Sequence, residues 1–327
     1  MRLLTFDGGG MRGALSARLM HRLETERPGF LAATTFFAGT SIGSMNAALF
    51  AYGISPAVVV EFFRTRAKEI FGPRDWLDTL SSADELIRAN YGIEKIKSSL
   101  EELVGADTTL GDLPYRIMIP AFDLDNQDAE SQKIATRVFK ERFWKPKYMH
   151  NFPDEGGNPD CEIKLVDACL RSSAAPTYFP SYQGYVDGGM MDNNPSMSAL
   201  AKAAKITGQI REHSLLSVGT GFNPHYIPGD TNDWGYKQWL LGTTVDGTKV
   251  EKGALLTMMF DGMLGVPDYQ CRQLLNGNYL RLDCILPTLI DLADADRVDE
   301  LIEIADAMDI GPTLDWIDAK WLTSVSG

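Results

Sequence analysis

With 327 residues and 44% hydrophobic content, the chain can bury a large core, as one big domain or two ordinary ones. The 31 basic residues against 44 acidic ones leave a net charge of -13, which repels nucleic acid and anionic bilayers at long range and confines any membrane contact to a local patch. Four cysteines (Cys161, Cys169, Cys271 and Cys284) form no CxxC pair and meet no clustered histidines, so buried free thiols are expected in place of a zinc site or a disulfide framework.

From Met1 and Arg2 the chain enters an apolar run of four residues, too short for the apolar region of a signal peptide. The most apolar long window, MNAALFAYGISPAVVVEFF, is broken by Gly53, Ser55 and Pro56, so no bilayer-spanning segment is expected and a cytoplasmic protein is. Residues 3 to 15, LLTFDGGGMRGAL, predict a strand, a glycine loop and a helix with Leu15, Leu19 and Leu23 on one face, stopped at Pro28 and Gly29. TTFFAG at 34 to 39 predicts a second strand that runs directly into TSIGSMNAALFAYG, a helix of small and apolar residues buried on most sides. Ser55 and Pro56 open a third helix with Val59, Phe63, Ala67 and Ile70 on one face, ended by Gly72. A fourth spans 93 to 104, turning Ile93, Ile96, Leu100 and Leu103 to the core before Gly105. YRIMIPAF (115 to 122) and KIATRVFK (133 to 140) predict strands joined by an acidic turn, and HSLLSVGTG (213 to 221) a late buried strand. From Pro224 the pattern loosens, apart from an acidic helix at about 294 to 308 carrying Val298, Leu301, Ile302 and Ala305. Apolar strands alternating with helices predict an α/β fold with a mainly parallel central sheet and helices on both faces. The expected organisation is a core over residues 1–225 and a helical extension, 226–327, packed on the same domain.

GTSIG at 39 to 43 fits G-x-S-x-G and falls between a strand end and a helix start, where a nucleophile elbow belongs. The turn exposes the Ser41 hydroxyl, Gly39 and Gly43 let strand and helix approach, and the helix N-terminus favours negative charge nearby. A hydroxyl needs a base. Of His21, His150, His213 and His225, only His213 and His225 suit a triad by chain order, and neither lies in a motif that marks one. YVDGGMMDNNP at 185 to 195 offers an acid, Asp187, at the end of an apolar run before Gly188 and Gly189; a hairpin or Asx turn explains the same residues. The amides of Gly8, Gly9 and Gly10 suit an oxyanion hole, with Arg12 fixing the loop or meeting a substrate phosphate. Residues 8 to 13 also fit G-x-G-x-x-G, but the second strand ends in the serine motif and not in the acid that a dinucleotide ribose requires.

DGGGMRG at 7 to 13, GTSIG at 39 to 43 and DGG at 187 to 189, with SSAAPTYFP at 172 to 180 ahead of the last, resemble the patatin-like phospholipase family in motif, order and spacing. The resemblance implies that family's three-layer α/β fold and a serine lipid acyl hydrolase of phospholipase A type, acting on membrane phospholipids. Ser41 would be the nucleophile and Asp187 the base of a dyad without histidine, working through an acyl-enzyme. Gly8, Gly9 and Gly10 would form the oxyanion hole, supported by Arg12, Gly39, Gly43, Gly188 and Gly189. No metal and no cofactor is implied. Transient contact with a membrane surface is, and since some bacterial relatives are switched on by a partner, a regulatory protein or small-nucleotide activator stays open. A Ser-His-Asp α/β-hydrolase, a dinucleotide oxidoreductase and a non-catalytic lipid-binding module are the alternatives.

ERFWKPKYMHNF, 141 to 152, interleaves Phe143, Trp144, Tyr148 and Phe152 with Arg142, Lys145 and Lys147, which suits an interfacial lid or a loop packed on the core. DLDNQDAE, 123 to 130, lacks the glycine and terminal glutamate of an EF-hand loop and is expected as a solvated hairpin tip.

Overall fold

The computed structural model describes residues 1–71, 82–125, 143–154, 156–176, 178–227, 229–245, 247–250 and 254–322. The first two units follow the sequence pattern. β1 (Arg2–Phe6) leads through the glycine loop into α1 (Gly13–Glu26), where Leu15, Leu19 and Leu23 are fully buried. β2 (Phe36–Gly39) leads into α2 (Ile42–Tyr52), whose residues are all buried except Tyr52. α3 (Pro56–Phe71) buries Val59 and Phe63, while the side chains of Ala67 and Ile70, and Gly72, lie outside the described residues. α4 (Ser82–Val104) starts earlier than expected, buries Ile93, Ile96 and Leu100, and stops at Gly105, whose φ of +85° is open to glycine.

The chain continues through β3 (Arg116–Asp123), β4 (Lys145–His150), α5 (Leu165–Ser172), β5 (Tyr185–Asp187), α6 (Ser196–Thr207) and β6 (Ser214–Val218). Its last third holds α7 (Tyr236–Leu241), a ribbon of β7 (Thr243–Val245) and β8 (Thr248–Val250), α8 (Ala254–Leu275), β9 (Tyr279–Leu282), α9 (Val298–Ala307) and α10 (Gly311–Lys320).

One sheet runs β4-β3-β2-β1-β6-β9, with β5 also paired to β3. β3, β2, β1, β6 and β9 are parallel; β4 and β5 join β3 antiparallel. Alternation along each strand divides the core. Leu4, Phe6, Phe37 and Leu216 face α1, α2 and α5, whereas Leu3, Phe36, Met118 and Leu215 face α6 and the C-terminal end of α8. This is a three-layer α/β fold with a mostly parallel mixed sheet.

Three expectations need correction or limit. KIATRVFK lies outside the described residues. The stretch expected as a lid or loop contains β4, the antiparallel neighbour of β3. Lys145, Pro146 and Lys147 hid it, because lysine and proline are what an edge strand tolerates. Its aromatics divide: Phe152 is buried edge-on against Phe36 at 4.6 Å, and Trp144 is 70% exposed. The last third, expected as helical, also adds β9 to the main sheet beside β6, in register Leu216 to Leu280. The acidic helix expected at about 294 to 308 is α9, which buries Val298, Leu301, Ile302 and Ala305 and contacts α1. Among the described residues no helix is long and apolar enough to cross a membrane.

Candidate active site

Ser41 stands between β2 and α2 with φ 54° and ψ -127°, a left-handed conformation that a non-glycine residue adopts only when its surroundings hold it. The hold is visible. The Ser41 amide donates to Ser172 Oγ at 2.9 Å, and that hydroxyl donates to the Pro120 carbonyl on β3. The Ser41 carbonyl accepts from the amide and the hydroxyl of Ser44, while Thr40 Oγ1 donates to the Asp192 carbonyl at 2.7 Å. The flanking glycines are required for space: a Cβ on Gly39 would overlap the Gly43 carbonyl, and one on Gly43 would overlap the carbonyl oxygens of Phe6 and Asp7. The helix start therefore lies directly on the ends of β1 and β2.

Asp187 ends β5, opposite Ala121 of β3, and its amide donates to the Ala174 carbonyl at 3.0 Å. Ser41 Oγ donates to Asp187 Oδ2 at 2.6 Å, and the Gly189 amide donates to Oδ1 at 2.7 Å. Burial pushes the Asp187 carboxyl up to about 6 against the opposing pull of those two hydrogen bonds. Gly188 leaves no room for a side chain, since a Cβ there would overlap the Pro120 carbonyl.

The glycine loop closes the site from the β1 side. The Gly8 amide is taken, donating to the Asn193 carbonyl at 3.0 Å, and the Gly8 carbonyl accepts from Thr220 Oγ1 at 3.1 Å. The amides of Gly9 and Gly10 have no acceptor among the described residues, and both residues line the cavity over Ser41. Gly10 has φ +55° and would collide with the Leu292 carbonyl if it carried a Cβ. Arg12 is buried beneath, donating from Nε to the Gly9 carbonyl at 3.3 Å and from Nη1 to the Gly221 carbonyl at 3.0 Å, and it also lines the cavity.

The cavity measures about 950 Å³ and includes Ser41 and Asp187 in its lining. Ile42, Met45, Phe62, Phe63, Phe260 and Leu264 give it apolar walls suited to an acyl chain. His225 lines it too, its Nδ1 3.5 Å from an Asp261 carboxylate oxygen. His213 is buried far from this chemistry, between the Met1 amino group at 3.0 Å and Thr207 Oγ1 at 3.1 Å. His150 meets Lys202 and Asn158, and His21 meets Arg18. Among the described residues no histidine hydrogen-bonds to Ser41 or Asp187, and none groups with acids or cysteines as a metal site would require.

Four supports escaped sequence reasoning. Asn193, Ser172 and Thr220 lie beside recognisable patterns (DNNP, SSAAP and VGTG) but their roles depend on which backbone they meet. Arg281 carried no signal at all. It donates from β9 to both Asp7 oxygens, to Ser217 Oγ at 2.8 Å and to Asp283 Oδ2 at 2.6 Å.

The family model described as Patatin-like phospholipase matches residues 4–200, which contain the glycine loop, Ser41 and Asp187. CotR of Bacillus subtilis, which carries the name of a sporulation hydrolase, is 30% identical, with 98% of this chain and 98% of its own covered. A cGAMP-activated phospholipase of Escherichia coli is 33% identical, with 88% of this chain and 81% of that one covered. Among solved structures, VipD from Legionella pneumophila aligns over 93% of this chain and 67% of its own, at 15% identity and a TM-score of 0.37. The chain belongs to the patatin-like phospholipase family and is a lipid acyl hydrolase.

Proposed function

We propose that Ser41 and Asp187 form a nucleophile-base dyad that hydrolyses acyl esters of membrane phospholipids, as a phospholipase A does, through an acyl-enzyme. The observation that carries this is the 2.6 Å hydrogen bond from Ser41 Oγ to Asp187 Oδ2 on a strained elbow that opens into a cavity with apolar side chains such as Met45, Phe63 and Phe260 among its walls. The phospholipase name of the Escherichia coli relative supports the substrate class.

The Ser41 proton passes to Asp187 as Oγ attacks the ester carbonyl, and the amides of Gly9 and Gly10 receive the oxyanion. The bond to the glycerol oxygen breaks, and Asp187 returns its proton to that leaving oxygen. Water then gives a proton to Asp187 and attacks the acyl-serine; the fatty acid leaves and Ser41 recovers its hydrogen.

The test is fatty-acid release from phosphatidylcholine and phosphatidylethanolamine vesicles by the full chain and by Ser41→Ala, each with and without cGAMP. Release by the wild type and a loss of about 10⁴-fold or more in the variant are expected. Equal release by the two would reject the dyad. An effect of cGAMP would add an activator of the kind in that relative's name, and no effect would leave it to the relative.

A further inference from the structure

The lining of the cavity divides by the segment that supplies it. From α2, α3 and α4 come only apolar side chains, Ile42, Met45, Phe62, Phe63 and Ile96, which suit an acyl chain. The charge comes from elsewhere. Arg12 is the sole permanent cation among the described lining residues, and beyond the dyad the acids are Asp261, Asp291 and Asp294. Arg12 is only 7% exposed. It gives Nε and Nη1 to carbonyls, while among the described residues its Nη2 has no hydrogen-bond partner and its charge has no carboxylate within 4.0 Å. A buried guanidinium without a counter-ion calls for an anion. Burial pulls the Arg12 pKa below the ordinary arginine range and Asp261, Asp283 and Asp291 oppose that pull, so these acids act on it through space. Asp291 is seated there by its own turn. The Leu292 carbonyl accepts from the Met11 amide at 2.8 Å, the Asp291 amide donates to Asp294 Oδ2 at 2.9 Å, and the Tyr178 hydroxyl donates to Asp291 Oδ1 at 3.4 Å. Asp261 lies 3.5 Å from His225 Nδ1 and keeps 42% of its side chain accessible. Among the described residues neither Asp261 nor Asp291 pairs with a lysine or an arginine.

We propose that Asp261 and Asp291, set beside Arg12, form the headgroup end of the cavity and select phospholipids whose phosphate is followed by an ammonium group, as in choline and ethanolamine heads. This selection rests on the phospholipid substrate proposed above and names which phospholipid it is. Arg12 offers one positive charge and the two acids offer negative ones, the complement of a phosphate and the ammonium two carbons beyond it. The phosphate is common to every phospholipid and gives no discrimination, so the acids supply it. A glycerol head gives the carboxylates hydroxyls in place of a cation, and a bare phosphate head sets further negative charge against them. An uncharged acylglycerol leaves Arg12 without a counter-ion.

The test substrates are dihexanoylphosphatidylcholine and dihexanoylphosphatidylglycerol below their micelle concentrations, so that no lipid surface and no surface charge enters the comparison. At pH 8 the full chain should show kcat/KM about tenfold higher on the choline lipid. Asp261→Asn with Asp291→Asn keeps the size of both side chains and an acceptor oxygen on each. The pair should raise KM for the choline lipid about tenfold without raising KM for the glycerol lipid, which abolishes the preference. Equal kcat/KM on the two lipids in the wild type, or asparagines that slow both lipids alike, would overturn the selection and leave the phospholipase reading standing. Calorimetric titration of Ser41→Ala with each lipid separates binding from turnover. Choline-selective binding that the asparagines remove, in a protein whose wild type cleaves neither lipid, would sink the dyad and leave the headgroup end standing. Binding and cleavage of neither lipid would overturn the selection together with the phospholipid substrate.

Discussion

Arg281 and Asp7, 274 residues apart, form a buried two-pronged ion pair directly under the first glycine of the loop at Ser41. Burial alone would strip the charge from the guanidinium, but the carboxylates of Asp7 and Asp283 hold its pKa above the ordinary arginine range. Asp283 also accepts from the Gly221 amide at 2.9 Å, and neighbouring Thr220 donates to the Gly8 carbonyl. β9 and Asp283, the residue after it, thus brace the start of the glycine loop from outside residues 4–200, the part the family model matches.

Arg281→Met should therefore cost about 3–5 kcal/mol, because it leaves Asp7 buried without a partner. Adding Asp7→Asn should restore part of that loss. Urea unfolding of the wild type, both single variants and the double variant measures the coupling, and strictly additive losses would show that the pair does not act as one. Where Arg281→Met still folds, kcat should fall more than KM rises.

Asp187 sets the pH behaviour. A carboxylate is needed to accept the Ser41 proton, so kcat/KM should fall about tenfold per unit of pH below the Asp187 pKa of about 6. The same shift has a stability sign. The native carboxyl titrates at about 6 against an ordinary 3.8, so the folded state holds its proton more tightly and stability declines as pH rises from 3.8 to 6. Asp187→Asn should abolish turnover yet stabilise the fold by on the order of 2 kcal/mol at pH 8, with the gain vanishing near pH 4. Melting curves at the two values check it, and an equal difference at both would contradict the shift.

The loop glycines should differ in kind. Gly9→Ala places a methyl group against Thr220, displacing the loop, and should cut kcat roughly 100-fold with modest loss of stability. Gly43→Ala instead forces α2 off the end of β1, overlapping two backbone carbonyls that cannot yield, and should cost about 3 kcal/mol or more. Steady-state kinetics and thermal melts separate the two outcomes.

His225→Ala should leave most esterase activity, since its ring pairs with Asp261 and not with the dyad. His213→Ala should instead lower the melting temperature, because it removes the partner of the Met1 amino group and of Thr207. Loss of turnover at unchanged stability in the His225 variant would move the base from Asp187 to a histidine.

What the sequence determined by itself is local. Strand, glycine loop and helix at 3 to 26, and strand, elbow and helix at 34 to 52, are each a contiguous run in which periodicity and glycine placement suffice. Ser41 and the glycine amides could be named from those runs alone, and Asp187 from a family resemblance.

Tertiary structure decided everything that depends on one segment meeting another. It committed the Gly8 amide to Asn193, so that Gly9 and Gly10 are left facing the cavity, and no pattern in DGGGMRG distinguishes the three. It placed a strand in KPKYMH, whose lysines and proline mark an edge only once β3 lies beside them. It brought Arg281 under Asp7, where the value of a guanidinium comes from the burial of its partner, and gave α8 two apolar faces of which only one finds a core. Periodicity along a chain reports which side of an element is apolar. What covers that side is set by elements hundreds of residues away, and the sequence carries no local record of them.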